Sequence, residues 1–141
     1  MTDTPALTGG CLCGAVRYSI AAEPMMTGHC ACDNCRKGTG AEHATLFAVP
    51  AAAVEATGAT SSFSHPAGSG ATVNRHFCPT CGAHTWSENS RMAHLRMIPV
   101  GGLDDITRAT PGLFVYHARK APWDGAGSGL KTFDEMPPMA P

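Results

Sequence analysis

The clearest alternation of polar and apolar side chains in this chain runs from Gly10 to Ile20. An apolar side chain at every second position is typical of a strand that buries one of its faces. We therefore predict one strand over this segment. Cys11 and Cys13 would then point to the same face, because side chains two residues apart lie on one side of a strand.

Shorter runs predict the remaining strands, at residues 43–49, 62–64, 72–77, 83–87, 95–100 and 113–117. Helical turns are predicted in two places. One follows Cys32, with Asp33 or Asn34 as its cap and Gly38 at its end, and the other covers residues 103–106. Segment 51–70 is rich in Ala, Ser, Thr and Gly and is expected to be mostly surface connection. The predicted fold is therefore mainly β.

The length of 141 residues corresponds to a single domain. Its core is expected at about residues 9–123, and a Gly- and Pro-rich tail, 124–141, is expected to lie over the surface. Large apolar side chains are scarce, since the chain has 22 Ala but only 21 Leu, Ile, Val and Phe together. A core this poor in bulky residues is one that bound metal can cross-link and stabilise.

The distribution of charge and apolar residues excludes several classes of protein. No basic segment followed by an apolar run begins the sequence, and no stretch approaches the roughly 18 apolar residues of a membrane span. We therefore expect a cytoplasmic protein with no membrane partner. Lys and Arg are scattered and the formal net charge is −1, so no nucleic-acid partner is expected either.

The seven cysteines carry the strongest chemical signal. An odd number of cysteines at short spacings fits metal ligation in a reducing compartment, where disulfides are rare. A secreted disulfide scaffold is the alternative. Tetrahedral zinc with cysteine ligands is the metal site that such spacings typically form.

Cys78 and Cys81 lie in a Cys-x-x-Cys turn followed by glycine, which is the form of a zinc knuckle. Two sulfurs do not complete a tetrahedral site, so a second pair is needed, and Cys11 and Cys13 supply it. We predict a closed, structural four-cysteine zinc site. It would tie the first strand to the second half of the chain.

Cys30, Cys32 and Cys35 remain, and their Cys-x-Cys-x-x-Cys spacing around a turn predicts a second zinc with an open fourth position. Catalytic zinc sites have this form. Three thiolates lower the Lewis acidity of the metal and favour a soft sulfur ligand, so the site is expected to accept a thiol. Two zinc ions per chain are predicted, and the open site is expected to be partly empty.

Other assignments stay open at this point. His29 is an alternative fourth ligand that would close the second site, although its place beside Cys30 strains simultaneous ligation. Other pairings of the seven cysteines are possible too. The remaining histidines are interpreted as surface or core residues, and these are His43, His65, His76, His84, His94 and His117.

Several motifs, in order along the chain, resemble the glutathione-dependent formaldehyde-activating enzyme family. The similarity runs from about Gly9 to Trp123. The motifs are Gly10-Cys11-Leu12-Cys13-Gly14-Ala15-Val16, His29-Cys30-Ala31-Cys32-Asp33-Asn34-Cys35-Arg36, Phe77-Cys78-Pro79-Thr80-Cys81-Gly82, Gly102-Leu103-Asp104-Asp105 and Lys120-Ala121-Pro122-Trp123.

The resemblance implies an Mss4-like fold of folded-over antiparallel β-sheets cross-linked by zinc. It implies the same roles for the cysteines, with Cys30, Cys32 and Cys35 as the catalytic ligands. It also implies a carbon–sulfur lyase, related to S-(hydroxymethyl)glutathione synthase, in which a zinc-bound thiolate reacts with a small aldehyde. The partners would be a small thiol such as glutathione and an aldehyde such as formaldehyde.

The family resemblance implies the fold more directly than it implies the substrate. Members of the family often carry a histidine after the proline that precedes the last strand, whereas Pro111 is followed here by Gly112. Candidates to bind the carboxylates of glutathione are Arg36, Lys37, Arg75 and Arg96, although exposed cations usually form a solvated face. The alternative function is a non-catalytic zinc module that carries a thiol or binds a protein partner.

Overall fold

The computed structural model describes residues 7–137, and this part of the chain is mainly β, as predicted. The sheets are not all antiparallel, which corrects that part of the prediction. It contains one short helix, α1 (Asp33–Thr39). Four single 3₁₀ turns lie at Ala51–Ala53, Val100–Gly102, Ile106–Arg108 and His117–Arg119. The strands are β1 (Leu7–Gly10), β2 (Arg17–Ile20), β3 (Met26–Cys30), β4 (Ala44–Pro50), β5 (Val54–Thr57), β6 (Ser61–Pro66), β7 (Thr72–Phe77), β8 (His84–Asn89), β9 (Leu95–Pro99), β10 (Leu113–Val115) and β11 (Lys131–Thr132).

The strands form two sheets within the described residues. The smaller sheet is antiparallel, with the order β1-β2-β5, and the larger has the order β11-β10-β3-β4-β9-β8-β7-β6. The larger sheet is mixed, because β10 pairs in parallel with both β3 and β11. Parallel neighbours need a long connection, and here β10 returns to β3 only after the chain has formed β4 and β6 to β9 of the same sheet.

The buried core lies between the two sheets. Tyr18 and Ile20 contribute from the smaller sheet, and Phe47 and Ile98 from the larger one; all four are almost completely buried. Cys11 and Cys78 belong to the same buried cluster. No helix within residues 7–137 has the length and apolar character needed to cross a membrane.

The prediction of one strand from Gly10 to Ile20 was wrong. β1 ends at Gly10 and β2 begins at Arg17, and the two strands pair antiparallel as a hairpin. The Cys11 N–H donates to the carbonyl oxygen of Val16 over 3.0 Å, which closes the loop between them. Cys11 and Cys13 therefore lie in a hairpin loop rather than on one face of a strand.

Strand β7 lies where the alternation predicted it, whereas β5 was missed. β5 falls in the segment expected to be surface connection, and three of its four side chains are exposed. β5 pairs with β2 through backbone hydrogen bonds. Because most of its side chains are exposed, its sequence carries little of the apolar signal that marks a buried strand. The tail also contributes more than surface cover, because it supplies β11 and the largely buried Asp124 carboxylate.

Gly58 provides a test of how closely the chain after β5 packs against the loop between β1 and β2. It has φ of +92°, and a β-carbon there would lie 2.0 Å from the carbonyl oxygen of Ala15, in the loop that carries Cys11 and Cys13. Gly58→Ala should lower the free energy of unfolding by about 3 kcal/mol or more, from left-handed strain plus the clash. Denaturant unfolding of metal-loaded protein measures this.

Gly129→Ala is the matched control, because Gly129 also has a positive φ, of +78°, but a β-carbon added there would have no neighbour within 4 Å. This variant should lose only about 1–2 kcal/mol, the cost of left-handed backbone for alanine. Equal losses in the two variants would show that the contact of Gly58 with the cysteine loop does not contribute to stability.

Candidate metal centres

The fold gathers the seven cysteines into two groups. Within each group the sulfur atoms all lie within 4.8 Å of one another. The four-cysteine group contains Cys11, Cys13, Cys78 and Cys81, and the three-cysteine group contains Cys30, Cys32 and Cys35. These are the two sets that the spacing predicted. Both groups could hold a metal ion.

Two turns build the four-cysteine group. Cys11 and Cys13 come from the loop between β1 and β2, while Cys78 and Cys81 come from the turn between β7 and β8. The Cys78 N–H donates to the Ala83 carbonyl oxygen over 3.0 Å, which closes that turn as a hairpin. The group therefore links the smaller sheet to the larger one.

The distances in this group suit a zinc ion. The sulfur of Cys13 lies 3.7 Å from the sulfurs of both Cys11 and Cys78. Zinc–sulfur bonds of about 2.3 Å in a tetrahedron place neighbouring sulfurs about 3.8 Å apart. Four soft sulfur donors at that separation are a ligand set that favours zinc.

Backbone N–H groups also prepare these sulfurs for negative charge. The Val16 N–H donates to the Cys11 sulfur over 3.2 Å, and the Thr80 N–H donates to the Cys78 sulfur over 3.4 Å. A hydrogen bond from the Ala83 N–H lowers the pKa of Cys81 to about 6. Thiolate is the form that binds metal, so the loop backbone favours ligation.

A strand end and a helix start build the three-cysteine group. Cys30 is the last residue of β3, Cys32 precedes α1, and the buried Cys35 lies in its first turn. The predicted caps were wrong, because the Cys32 sulfur caps the helix by accepting the Cys35 N–H over 3.3 Å. The helix runs past Gly38 to Thr39 and ends at Gly40, which has a left-handed φ of 74°.

Arg75 of β7 brings positive charge to this group. Its Nη2 lies 3.9 Å from the Cys35 sulfur, and its Nε donates to Nε2 of His65 over 2.9 Å. A β-carbon on Gly38 would lie 3.0 Å from Arg75 Nη1, so the guanidinium packs directly on α1. Arg75 thus faces the thiols and balances their charge, instead of lying on a solvated face.

The other predicted carboxylate binders lie in different surroundings. Arg36 pairs with Asp33 over 2.6 Å and also donates to the Ala31 carbonyl oxygen, so it braces the loop that holds Cys32. Lys37 is exposed. Arg96 lies 5.1 Å from the ring centroid of Trp86, in the interior between the sheets.

His29 does not join the three-cysteine group. Its Nδ1 hydrogen-bonds the Thr45 hydroxyl over 2.8 Å, and its ring contacts His43 and Phe114. Successive residues of a strand point to opposite faces, so His29 and Cys30 lie on opposite faces of β3. Among the described residues, no fourth ligand accompanies the three sulfurs within 4.8 Å.

The face of β3 that carries His29 also holds a pairing that the sequence did not reveal. Nδ1 of His43 lies 2.6 Å from the Asp124 carboxylate, whose side chain is only 6% exposed. Burial raises the pKa of Asp124, but hydrogen bonds from His43 and the Ala126 N–H outweigh it and leave that pKa lowered. The two residues are 81 positions apart, and no local pattern links them.

A cavity of about 470 Å³ borders the four-cysteine group rather than the three-cysteine group. Its lining includes Cys11, Arg17, His84 and Asp104. Arg17 and Asp104 form an ion pair there, and burial lowers the pKa of His84 to about 4. The imidazole is therefore neutral at pH 7.

Comparison with solved structures identifies a similar fold. The crystal structure of a Rhodobacter sphaeroides protein, a Northeast Structural Genomics target, aligns with a TM-score of 0.55 and 24% sequence identity. The alignment covers 70% of this chain and 88% of that chain. At this identity the likeness shows a shared fold. Among curated proteins, none matches this chain.

Comparison with family models confirms the resemblance drawn from the cysteine motifs. The model described as glutathione-dependent formaldehyde-activating enzyme matches residues 6–119. That match spans both cysteine groups and all strands except the short β11. This chain therefore belongs to the glutathione-dependent formaldehyde-activating enzyme family.

Proposed function

We propose that this protein is a zinc-dependent carbon–sulfur lyase that joins glutathione, or another small thiol, to formaldehyde or another small aldehyde, and reverses that reaction. One observation carries the proposal. Three sulfurs meet at the end of β3 and the start of α1, with no fourth ligand beside them in the described part of the chain. Membership of the family supports the class of reaction.

Each group of cysteines has a separate role in this proposal. Cys11, Cys13, Cys78 and Cys81 would hold a structural zinc that is closed to substrate. Cys30, Cys32 and Cys35 would hold the second zinc and leave one position for a ligand. Zinc bound by three thiolates supplies a position at which an incoming thiol loses its proton at neutral pH.

The chain's own residues would hold and balance the site. Cys32 is fixed by its bond from the Cys35 N–H, so two of the three sulfurs are set by the first turn of α1. The guanidinium of Arg75, beside Cys35, offsets part of the negative charge that the thiolates bring. Holding thiol and aldehyde together at this site would supply most of the rate gain, by proximity and orientation.

The two cysteine groups should respond differently to mutation. Cys78→Ser should give unfolded or insoluble protein, because a structural zinc contributes on the order of 10 kcal/mol and net domain stability is only about 5–15 kcal/mol. Cys35→Ser should fold and melt close to wild type, because its group closes no long loop. Circular dichroism and thermal melts measure both effects.

Zinc content provides the check on these variants. Native mass spectrometry of fresh, reduced protein should find two zinc ions in wild type and one in Cys35→Ser. Wild type that never carries more than one zinc under zinc-replete conditions would refute the two-site assignment. Equal damage in Cys35→Ser and Cys78→Ser would refute the division into structural and open groups.

Thiol binding and turnover test the reaction itself. In cobalt-substituted protein, thiolate-to-metal charge-transfer absorption should grow when glutathione is added to wild type and stay constant in Cys32→Ser. Exchange of formaldehyde with glutathione, followed by NMR, should be faster with wild type than without protein. Glutathione binding without faster exchange would replace the lyase with a thiol carrier, and no glutathione binding would remove the proposed mechanism.

A further inference from the structure

Tyr116 has an unusual backbone conformation directly beside the three-cysteine group. Its φ of 54° and ψ of 35° make it the one non-glycine residue with positive φ in the described chain. A left-handed conformation costs a residue with a β-carbon roughly 1–2 kcal/mol. Such strain concentrates at functional sites, where the surrounding structure holds it in place.

The sheet register brings this residue to the start of the loop that leads from Cys30 to Cys32. Val115 pairs with Cys30 in the parallel ladder of β10 and β3, and the Ala31 N–H donates to the Val115 carbonyl oxygen over 3.2 Å. Tyr116 is the residue after Val115, and Ala31 and Cys32 are the residues after Cys30, so both segments begin where the ladder of β10 and β3 ends. Its backbone therefore leaves the sheet at the same edge as the cysteine loop.

The Tyr116 side chain extends to the loop between β6 and β7, and that loop is tied to α1. A β-carbon on Gly68 would be 3.3 Å from the Tyr116 hydroxyl, so this hydroxyl reaches the loop between β6 and β7. Asn34, in the first turn of α1, donates to the Pro66 carbonyl oxygen at the start of that loop. Arg119 lies 5.6 Å from the ring centroid, and its Nη1 lies 3.8 Å from the carboxylate of Asp33, the first residue of α1.

The hydroxyl of Tyr116 keeps its proton and has no other task within the described residues. A tyrosine phenol has an ordinary pKa of about 10, and burial raises the pKa of Tyr116 further, so the phenol stays protonated at neutral pH. The hydroxyl forms no hydrogen bond to residues 7–137, and the side chain is only half-buried. A donor held in place without a partner is available to a substrate.

The other polar groups around the three sulfurs are already engaged. Arg75 donates to His65 and faces Cys35, and a guanidinium does not give up its proton. His65 accepts from Arg75 at Nε2 and donates from Nδ1 to the Pro66 carbonyl oxygen, so both ring nitrogens are used. His29 lies on the opposite face of β3. Tyr116 is left as the group with a proton to donate.

We propose that the Tyr116 hydroxyl donates a hydrogen bond to the aldehyde oxygen and protonates it as the thiol adduct forms. The thiolate sulfur bonds to the carbonyl carbon, the carbon–oxygen π pair moves to oxygen, and oxygen takes the phenol proton. The phenolate then recovers a proton from water. In the reverse direction the phenolate removes the hydroxyl proton as the carbon–sulfur bond breaks. This assignment rests on the proposed lyase function.

Tyr116→Phe tests the assignment, with Tyr18→Phe as the matched control. Each variant removes one oxygen, and these are the two tyrosines of the chain. The Tyr18 hydroxyl is buried between Gly9 and Gly102 and has no partner in the described residues. Tyr116→Phe should lower kcat for formaldehyde exchange about 100-fold, with KM for glutathione and the cobalt charge-transfer response unchanged. Tyr18→Phe should leave all three unchanged.

A spectroscopic measurement tests the contact independently of turnover. Protein labelled with 3-fluorotyrosine should give two ¹⁹F resonances, and Tyr18→Phe identifies the one from Tyr116. The Tyr116 resonance should shift when formaldehyde is added to zinc-replete protein saturated with glutathione, and the Tyr18 resonance should not. In Cys32→Ser, which lacks the thiol site, the shift should be lost.

The outcomes separate this assignment from the lyase function. If wild type accelerates formaldehyde exchange and Tyr116→Phe accelerates it equally, the role of Tyr116 is overturned and the lyase function stands. If wild type does not accelerate formaldehyde exchange over the reaction without protein, the lyase function is overturned. The ¹⁹F shift would then decide whether the Tyr116 hydroxyl still binds the adduct oxygen. A Tyr116 resonance that does not move overturns the assignment in either case.

Discussion

The convergence of four cysteine sulfurs from two distant turns is the constraint on which this structure depends. Cys13 and Cys78 are 65 residues apart in sequence, yet their sulfurs lie 3.7 Å apart. One turn belongs to the smaller sheet and the other to the larger sheet. The chain as a whole has few large apolar side chains, so a zinc ion held by these sulfurs would supply a large share of net stability.

The second group lies apart from this link between the sheets. Cys30, Cys32 and Cys35 lie within a single local turn, so a ligand gained or lost there does not separate the sheets. The surrounding chain supplies what three closely spaced thiolates need. Arg75 brings positive charge from β7, and the β10 ladder fixes Tyr116 at the edge of the cysteine loop.

Much of the site could be predicted because cysteine spacing is a local signal. The Cys-x-x-Cys turn of Cys78 and Cys81 and the cluster around Cys32 are each defined within a few residues. Their division into a group of four and a group of three followed from the need for four ligands in one closed zinc site. The family resemblance drew on the same motifs and is confirmed by the match to residues 6–119.

The errors have a different origin. Alternation from Gly10 to Ile20 predicted one strand, but tight turns can show the same alternation, and only the Cys11–Val16 backbone bond distinguishes the hairpin. The sequence offered Arg75 only as a candidate carboxylate binder or a solvated cation, because its position beside Cys35 depends on how β7 lies against α1.

Long-range packing also explains what the sequence did not reveal at all. The pairing of His43 with Asp124 joins the segment between α1 and β4 to the C-terminal tail. The role inferred for Tyr116 depends on the register of β10 with β3. Neither contact affects the local sequence pattern, so both could be identified only from the folded structure.

Stepwise removal of zinc with a chelator, with zinc release and far-UV circular dichroism measured together, most directly tests whether the four-cysteine group holds the two sheets together. Two phases are expected. The first equivalent of zinc should leave from the three-cysteine group with the β-sheet signal intact, and the second should leave only as the sheets unfold. Loss of both equivalents from a chain that stays folded would contradict the structural role of the four-cysteine group.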